Sequence, residues 1–505
     1  MKYLLGMDIG SSSAKAGLFS PDGRLVASSS REYPTREPNP GWKEQDPETW
    51  WMAACAILQE VTFGGRGSDV SAVGVTGHIS SLTFVDPQGR PLRPAVGFQD
   101  QRAVEEVSIL CSRISREELA AELGIDLPPA ATWPLPRLLW FQRHQPAILE
   151  NAFRVLQAKD FVNFRLTGEL RSDLSSGRGM VSFAEGQVAA RVFEKLNLPR
   201  HLVPPIARPH EVIGSVTHAA AAQTGLSPGI PVVAGWNDLN AAVLGSGVVS
   251  DGQWFNITGT SEHLGVITAA NHSSAELVCA PFLPGKRLLY GVTSCGGGSL
   301  DWFRQSSGKD LADLLDEAEQ APPGSEGLLF LPYLAGERAP IWDPYASGAF
   351  LGIRLCHRRG HFVRAVLEGV ALGLRQIFEL VVRNFAGSPV PLVVSGGASR
   401  VALWNQIKAD VLGREVRATA FPHAGVLGAA LLAAVGAGLF PDPESASRAL
   451  VKPDGSCVPQ PEAAGRYEEL YSIFEDLYPA LAPVFHRIHR LHFVNRESSC
   501  ITSTR

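Results

Sequence analysis

Metal-type cysteine spacing is missing from this chain. Its seven cysteines include no C-x-x-C pair, and no Cys/His cluster has ligand spacing, which argues against a structural zinc site. An odd number of scattered cysteines fits reduced thiols in a cytoplasmic protein. Runs of Lys and Arg are absent too and the formal net charge is −5, so no nucleic-acid partner is expected. Neither G-x-x-x-x-G-K-[ST] nor a G-x-G-x-x-G opening the first helix occurs, which removes support for P-loop and dinucleotide-binding readings. The apolar stretch after Lys2 is too short for a signal peptide, and Asp8 interrupts it. "AGVLGAALLAAVGAGLF" (424–440) is wholly apolar, but it is shorter than the ~20 residues a membrane helix needs and is largely Ala and Gly. A closely packed buried helix is the expectation, and no membrane partner.

What is present points to a globular protein of more than one domain. The chain has 505 residues, 45% of them hydrophobic and 19% charged, which exceeds what one core normally covers. "GMDIGSSSAK" (6–15) places Asp8 at the end of an apolar strand, followed by Gly10, Ser11, Ser12 and Ser13. Exposed N–H groups and hydroxyls of that kind suit a phosphate; the same residues also suit an ordinary polar turn. A Pro-Asp-Gly turn then joins two strands. In "GWKEQDPETWW", Asp46 is a good helix N-cap and Pro47 suits the first helical position. "VSAVGVTGH" reads as a strand buried on both faces. Strands alternating with helices indicate an α/β domain.

A similar grammar resumes near residue 230. "IPVVAGWNDLNAAVLGSG" gives strand, polar turn and small-residue helix, and "QWFNITGTSEHLGVITA" gives a second hairpin with Gly259 and Thr260 in its turn. The loose echo of the first hairpin suggests a duplicated fold with two phosphate-facing turns. "TSCGGGSLDWF" (with Gly297) and "LVVSGGASR" (with Gly396 and Gly397) add glycine clusters, useful for close ligand approach or for packing alone. Asp238 follows an apolar run, at a strand end where α/β sheets place ligand crevices. It could accept a proton from a substrate hydroxyl; equally, it could cap the next helix.

At these segments the sequence resembles the FGGY carbohydrate kinases, from about residue 3 to about residue 440. The most specific match is "GAFLGIRLCHRRGHFVRAVLEG" (348–369), whose apolar spacing describes a helix packing face more than chemistry. "GMDIGSSSAK" is similar to the family's first phosphate motif, with Lys15 at a basic position. "NITGTSE" resembles the second, and "SGGASRVALWNQIKADVLGREV" the adenosine motif. "WPLPRLLWFQRHQP" resembles a family signature with Arg137 in place of the usual lysine.

The resemblance implies two duplicated RNase H-like α/β domains of the actin, hexokinase and heat-shock-70 ATPase fold, flanking a deep cleft. Residues 1–245 and 246–440 would form the domains, followed by a helical extension broken near Pro479 or Pro483 and a frayed tail, "ESSCITSTR". It implies ATP-dependent phosphorylation of a small ketose or polyol. Asp238 would be the catalytic base and Asp8 would stand by Mg²⁺, through water. Gly10, Ser11, Ser12, Lys15, Gly259, Thr260, Gly297, Gly396 and Gly397 would hold the nucleotide.

A homodimer is compatible with this reading. Rival readings are a sugar-responsive binding protein without turnover and an actin- or chaperone-like ATPase. The acceptor segments depart from the xylulokinase pattern: "VTGHISSL" offers His78, Ile79, Ser80 and Ser81, and "GFQDQR" keeps Asp100 and Arg102. His78, Ile79, Ser80, Asp100, Arg102 and Asp238 are the expected acceptor contacts. The departures lead to the expectation of an acceptor other than D-xylulose.

Overall fold

The computed structural model describes residues 2–126, 129–274, 276–385, 387 and 390–501, and side chains as far as residue 491. The chain divides into two compact units. The first comprises Met1–Val249, Ala280–Pro284 and His423–Lys452; the second comprises Ser250–Cys279, Gly285–Pro422 and Pro453–Arg505.

In the first unit the strands are β1 (Tyr3–Ile9), β2 (Ser13–Phe19), β3 (Leu25–Glu32), β4 (Val70–Gly77), β5 (Val212–Ser215) and β6 (Pro231–Val233), in the sheet order β5-β6-β4-β1-β2-β3. β1, β2 and β3 pair antiparallel, whereas β1 pairs parallel with β4 and β4 with β6. β4 is buried along almost its whole length, as a strand covered on both faces must be. The helix Pro47–Val61 starts as its sequence predicts: Asp46 is the N-cap and accepts the Glu48 N–H at 3.0 Å.

The second unit repeats the plan with β7 (Trp254–Thr258), β8 (Glu262–Thr268), β9 (Arg287–Val292), β10 (Leu392–Gly396), β11 (Val416–Thr419) and β12 (Pro453–Cys457). β7, β8 and β9 pair antiparallel; β7 pairs parallel with β10 and β10 with β11. Three antiparallel strands joined to two parallel ones recur in the same order in both sheets, the second of which carries one further edge strand, Val278–Pro281. The expected duplication is therefore in the topology itself.

The alanine- and glycine-rich segment forms the helix Ala424–Gly436, nearly all of it buried. It packs on β1, β4 and the helix Asp238–Gly245, so its place is in the first unit, outside the 1–245 span expected from chain order. Its composition follows from how close the backbones come. A Cβ on Gly6 would lie 1.9 Å from the Val426 carbonyl oxygen, and one on Gly428 would lie 1.9 Å from that of Ala241. Alanine at either position would force the layers apart. Among the described residues no helix is long and apolar enough to cross a membrane.

The C-terminal extension differs from expectation: Pro461–Ile501 is one helix that runs through Pro479 and Pro483. Both prolines lie on its exposed side, where water can hydrate the carbonyls that lose their N–H partners. The side chains of the expected tail 497–505, and residues 502–505 altogether, lie outside the described residues.

Candidate active site

Three chemistry-bearing residues collect at the C-terminal ends of the parallel strands of the first unit, the edge where α/β sheets hold ligands. Asp8 is next to last in β1 and pairs in register with Thr76 of β4 and Lys15 of β2. His78 directly follows β4. Asp238 opens the helix after β6.

The approach to Asp238 is firmly built. The Ala234 carbonyl accepts from Lys159 Nζ at 3.1 Å and Asn163 Nδ2 at 2.9 Å, and the Trp236 carbonyl accepts from Thr76 Oγ1 at 2.8 Å. Gly235 has φ +75°, and a Cβ there would meet the Val75 carbonyl oxygen at 1.7 Å. Lys159 is itself buried between Asp160 (2.6 Å) and Asp173 (3.0 Å). The cap position belongs to Asn237, whose side chain accepts the Asn240 N–H at 2.8 Å. The capping alternative for Asp238 is therefore taken by its neighbour. Asp238 Oδ1 accepts only the adjacent Leu239 N–H, at 2.8 Å, among the contacts described.

The electrostatics set the two carboxylates apart from ordinary surface acids. Asp238 meets solvent, yet protein surrounds it closely enough that lost hydration is the main influence on its carboxyl. With the negative charge of Asp8 adding to this, it is pushed up to about 6, while Arg178 and the Leu239 N–H oppose the rise. Asp8 is likewise raised by burial, against the pull of Lys15, and its Oδ1 is buried without a partner. An anionic oxygen with nothing to satisfy it fits a divalent cation or its bound water. Arg178, whose charge reaches Asp238, is not among the residues the sequence singles out; nothing in its local spacing marks it.

The Gly10–Ser13 turn is braced from below. Gly10 N donates to the Ser13 carbonyl at 3.0 Å, Gln45 Nε2 to the Ser11 carbonyl at 2.7 Å, and the Tyr33 hydroxyl to the Gly10 carbonyl. Ser12 is exposed and Ser11 and Lys15 are half-buried.

In the second unit Gly259 and Thr260 are exposed at the β7–β8 turn, and the Gly396–Gly397 turn follows β10 beside it. Gly297 behaves differently from a free phosphate donor: its N–H donates to the Gly259 carbonyl at 2.9 Å. That bond commits Gly297 to supporting the turn. Behind the turn, Lys408 Nζ donates to Glu262 at 2.7 Å and to Asn256 Oδ1 at 2.8 Å, all three buried.

The segments expected to meet the acceptor come together, though not as free groups. His78 Nδ1 donates to the Ile9 carbonyl at 2.9 Å and its ring stands edge-on to Trp50; burial holds its imidazole below the usual range. Ile79 and Ser80 are half-buried, and Ser80 has φ +65°. Asp100 and Arg102 bind each other. Asp100 Oδ1 accepts Arg102 Nε at 2.8 Å, and Oδ2 accepts Nη2 at 2.8 Å and Lys43 N at 2.7 Å. The guanidinium also donates to Glu44 at 2.7 Å and lies over Trp42, 4.0 Å from the ring centre. Of the guanidinium nitrogens, Nη1 is buried without a partner, as is Ser81 Oγ. Such a fold-back between positions two apart is invisible in the sequence, where the two charges look equally available.

The model of the N-terminal domain of the FGGY family of carbohydrate kinases matches residues 3–245, and that of the C-terminal domain matches residues 255–437. The chain belongs to this family. It is a sugar kinase of the actin-like ATPase fold. It is similar to the xylulose kinase of Lactococcus lactis, 30% identical over 500 residues that cover 97% of this chain and 99% of that one. Among solved structures, a ligand-bound xylulose kinase from Lactobacillus acidophilus aligns at TM-score 0.86 and 26% identity, covering 97% of this chain and 100% of that one. A gluconate kinase from the same organism aligns at TM-score 0.86 and 27% identity, covering 96% and 99%. Equal likeness to two structures named for different acceptors means that the shared backbone does not identify the acceptor of this enzyme.

Proposed function

We propose that the enzyme transfers the γ-phosphoryl group of ATP to a hydroxyl of a small ketose or polyol, with Asp238 as the general base. The observation that carries this reading is the pairing at one strand edge of an open, upward-shifted carboxyl, Asp238, with a second carboxylate, Asp8, close enough to raise it. The acceptor oxygen attacks the γ-phosphorus, its proton passes to the Asp238 carboxylate, and the bond to the ADP oxygen breaks. A base near 6 is ionised at neutral pH yet basic enough to take a proton as the oxygen begins to bond.

Asp8 would hold Mg²⁺, through water, and that ion would supply charge neutralisation on the phosphates. Exposed Ser12 with Gly10, Ser11 and Lys15, and Gly259 with Thr260, would meet the phosphates; Gly396 and Gly397 would lie against the nucleoside. His78, Ile79, Ser80 and the unpaired Nη1 of Arg102 are the groups offered to the acceptor, with Asp100 holding Arg102 in place. The departures at residues 78–81 favour an acceptor other than D-xylulose. The described cysteines are all free thiols, which supports a reducing, cytoplasmic setting.

ADP release over a panel of pentuloses, hexuloses, tetritols, glycerol and gluconate tests the assignment. Acceptor-dependent turnover is expected. ATP hydrolysis indifferent to every acceptor would overturn it, and D-xylulose leading by about tenfold, roughly 1.4 kcal/mol, would overturn the specificity reading alone.

A further inference from the structure

Arg137 is fully buried, and among the described residues no carboxylate pairs with it. Its donors all go to backbone carbonyls instead. Nε donates to Ala131 at 3.1 Å, Nη1 to Ser80, and Nη2 to Phe98 at 2.8 Å and Asp100 at 3.0 Å. Ser80 and the Phe98–Asp100 pair belong to the two segments offered to the acceptor, and they meet at this one guanidinium. Burial holds Arg137 down to about 9, with Asp100 opposing the fall, so the cation costs folding energy and is not an incidental surface charge.

Two further features fit a role in geometry. Ser80 sits at φ +65°, a left-handed conformation that is unfavourable for a non-glycine residue and must be held by its surroundings. Its carbonyl is one of those that Arg137 holds. In addition, a planar fork with five N–H groups can fix several carbonyls at set angles, whereas a lysine ammonium has three donors on one freely rotating atom.

We propose that Arg137 is the positioning residue for acceptor recognition: by tying the 78–81 and 97–102 segments to one guanidinium plane, it sets their spacing and hence which acceptor the enzyme prefers. Arg137 does not touch the acceptor; it acts through Ser80, Phe98 and Asp100. This rests on the assignment of those segments to the acceptor under Proposed function.

The test is Arg137→Lys, which keeps the charge and loses the fork, alongside Arg137→Gln. KM for the best acceptor, KM for ATP, kcat, and the ratio of kcat/KM between the two best acceptors are measured for each. In Arg137→Lys the acceptor KM should rise by about tenfold or more, as misplacement of binding groups does. KM for ATP should stay within about twofold, and the acceptor ratio should shrink. An unchanged acceptor KM in a folded Arg137→Lys, or acceptor and ATP KM rising together, would overturn the proposal. Failure of both variants to fold would also overturn it, by assigning Arg137 to stability alone. A wild-type enzyme that phosphorylates no ketose, polyol or aldonate would instead remove the functional reading beneath it, and that is read before any variant is made.

Discussion

The two units share a strand plan but differ in how they treat charge at the same place. Counting back two residues from the turn glycine, the first unit has Asp8 before Gly10, and the second has Ile257 before Gly259. Asp8 pairs in register with Lys15 but makes no bond that satisfies its Oδ1. In the second unit Glu262 lies across the turn; its Oε2 is bonded to Lys408 and Asn256 in the interior, while its Oε1, like Asp8 Oδ1, is buried without a partner. At this place the first copy leaves Asp8 without an ion pair among the described contacts, and the second sets Lys408 against Glu262. Duplicating a scaffold therefore does not duplicate its chemistry. In the proposed assignment the first unit supplies the reacting carboxylates, while in the second the Glu262–Lys408 pair supports a turn.

Removing the base tests this contrast most severely. Asp238→Asn should lower kcat by roughly 10²–10⁴-fold, the usual range for a lost general base, with no fall in melting temperature. Turnover close to wild type in the folded variant would leave the first unit without its distinguishing group. On the other side, Lys408→Met leaves Glu262 buried with no cation and should cost about 3–5 kcal/mol in the unfolding transition of the second unit. Lys408→Met with Glu262→Gln should recover most of that loss in the same denaturant melts. If the single variant proves harmless, the second unit's charges are not the brace described here.

Asp8→Asn should reduce kcat/KM for ATP with every acceptor alike, on the order of tenfold to a hundredfold. A loss confined to one acceptor would place Asp8 on the sugar side instead. A finer effect concerns pH. As the proposed base, Asp238 would work unprotonated, so wild-type kcat/KM should fall as pH drops through about 6. Because the charge of Asp8 helps to raise Asp238, Asp8→Asn should move that acidic limb to lower pH; an upward shift would contradict the coupling.

The smallest expected effect is on stability. A carboxyl raised in the folded state destabilises the fold once pH exceeds its unfolded value, near 4, and fully so above about 6. Asp238→Asn should thus melt slightly higher than wild type at pH 7, by less than about 1 kcal/mol because the group meets solvent, and the two curves should converge below pH 4.

Much of the site was legible because it follows from position along a strand. Asp8 and Asp238 each stand where an apolar run ends, and the sheet's topology turns those ends into one edge. The turn at Gly10–Ser13 and its partner at Gly259–Thr260 were legible for the same reason. Side-chain pairing was not. Asp100 and Arg102 read as two free charges, yet the guanidinium folds back to take both carboxylate oxygens. The contacts of Lys159 with Ala234, of Lys408 with Glu262 and of Arg137 with Ser80 reach across long stretches of chain, where no local spacing encodes them. At Asp238 the adjacent Asn237 proved the better cap, since its side chain reaches the Asn240 N–H. Prolines 479 and 483 mislead for the opposite reason: a local rule predicts a break, and solvent exposure removes much of the penalty.

The helix Ala424–Gly436 carries a consequence for synthesis. It covers β1 and β4 so closely that Gly6 and Gly74 have only its backbone above them, with virtual Cβ positions 1.9 and 2.0 Å from its carbonyl oxygens. No residue between Val249 and His423, apart from Ala280–Pro284, belongs to that unit. On the ribosome the first sheet therefore emerges with a bare face and waits for its cover while most of the second unit is made, roughly 10–35 s at ordinary elongation rates. During that interval the nascent chain exposes a flat strip of small residues that only its own late helix fits.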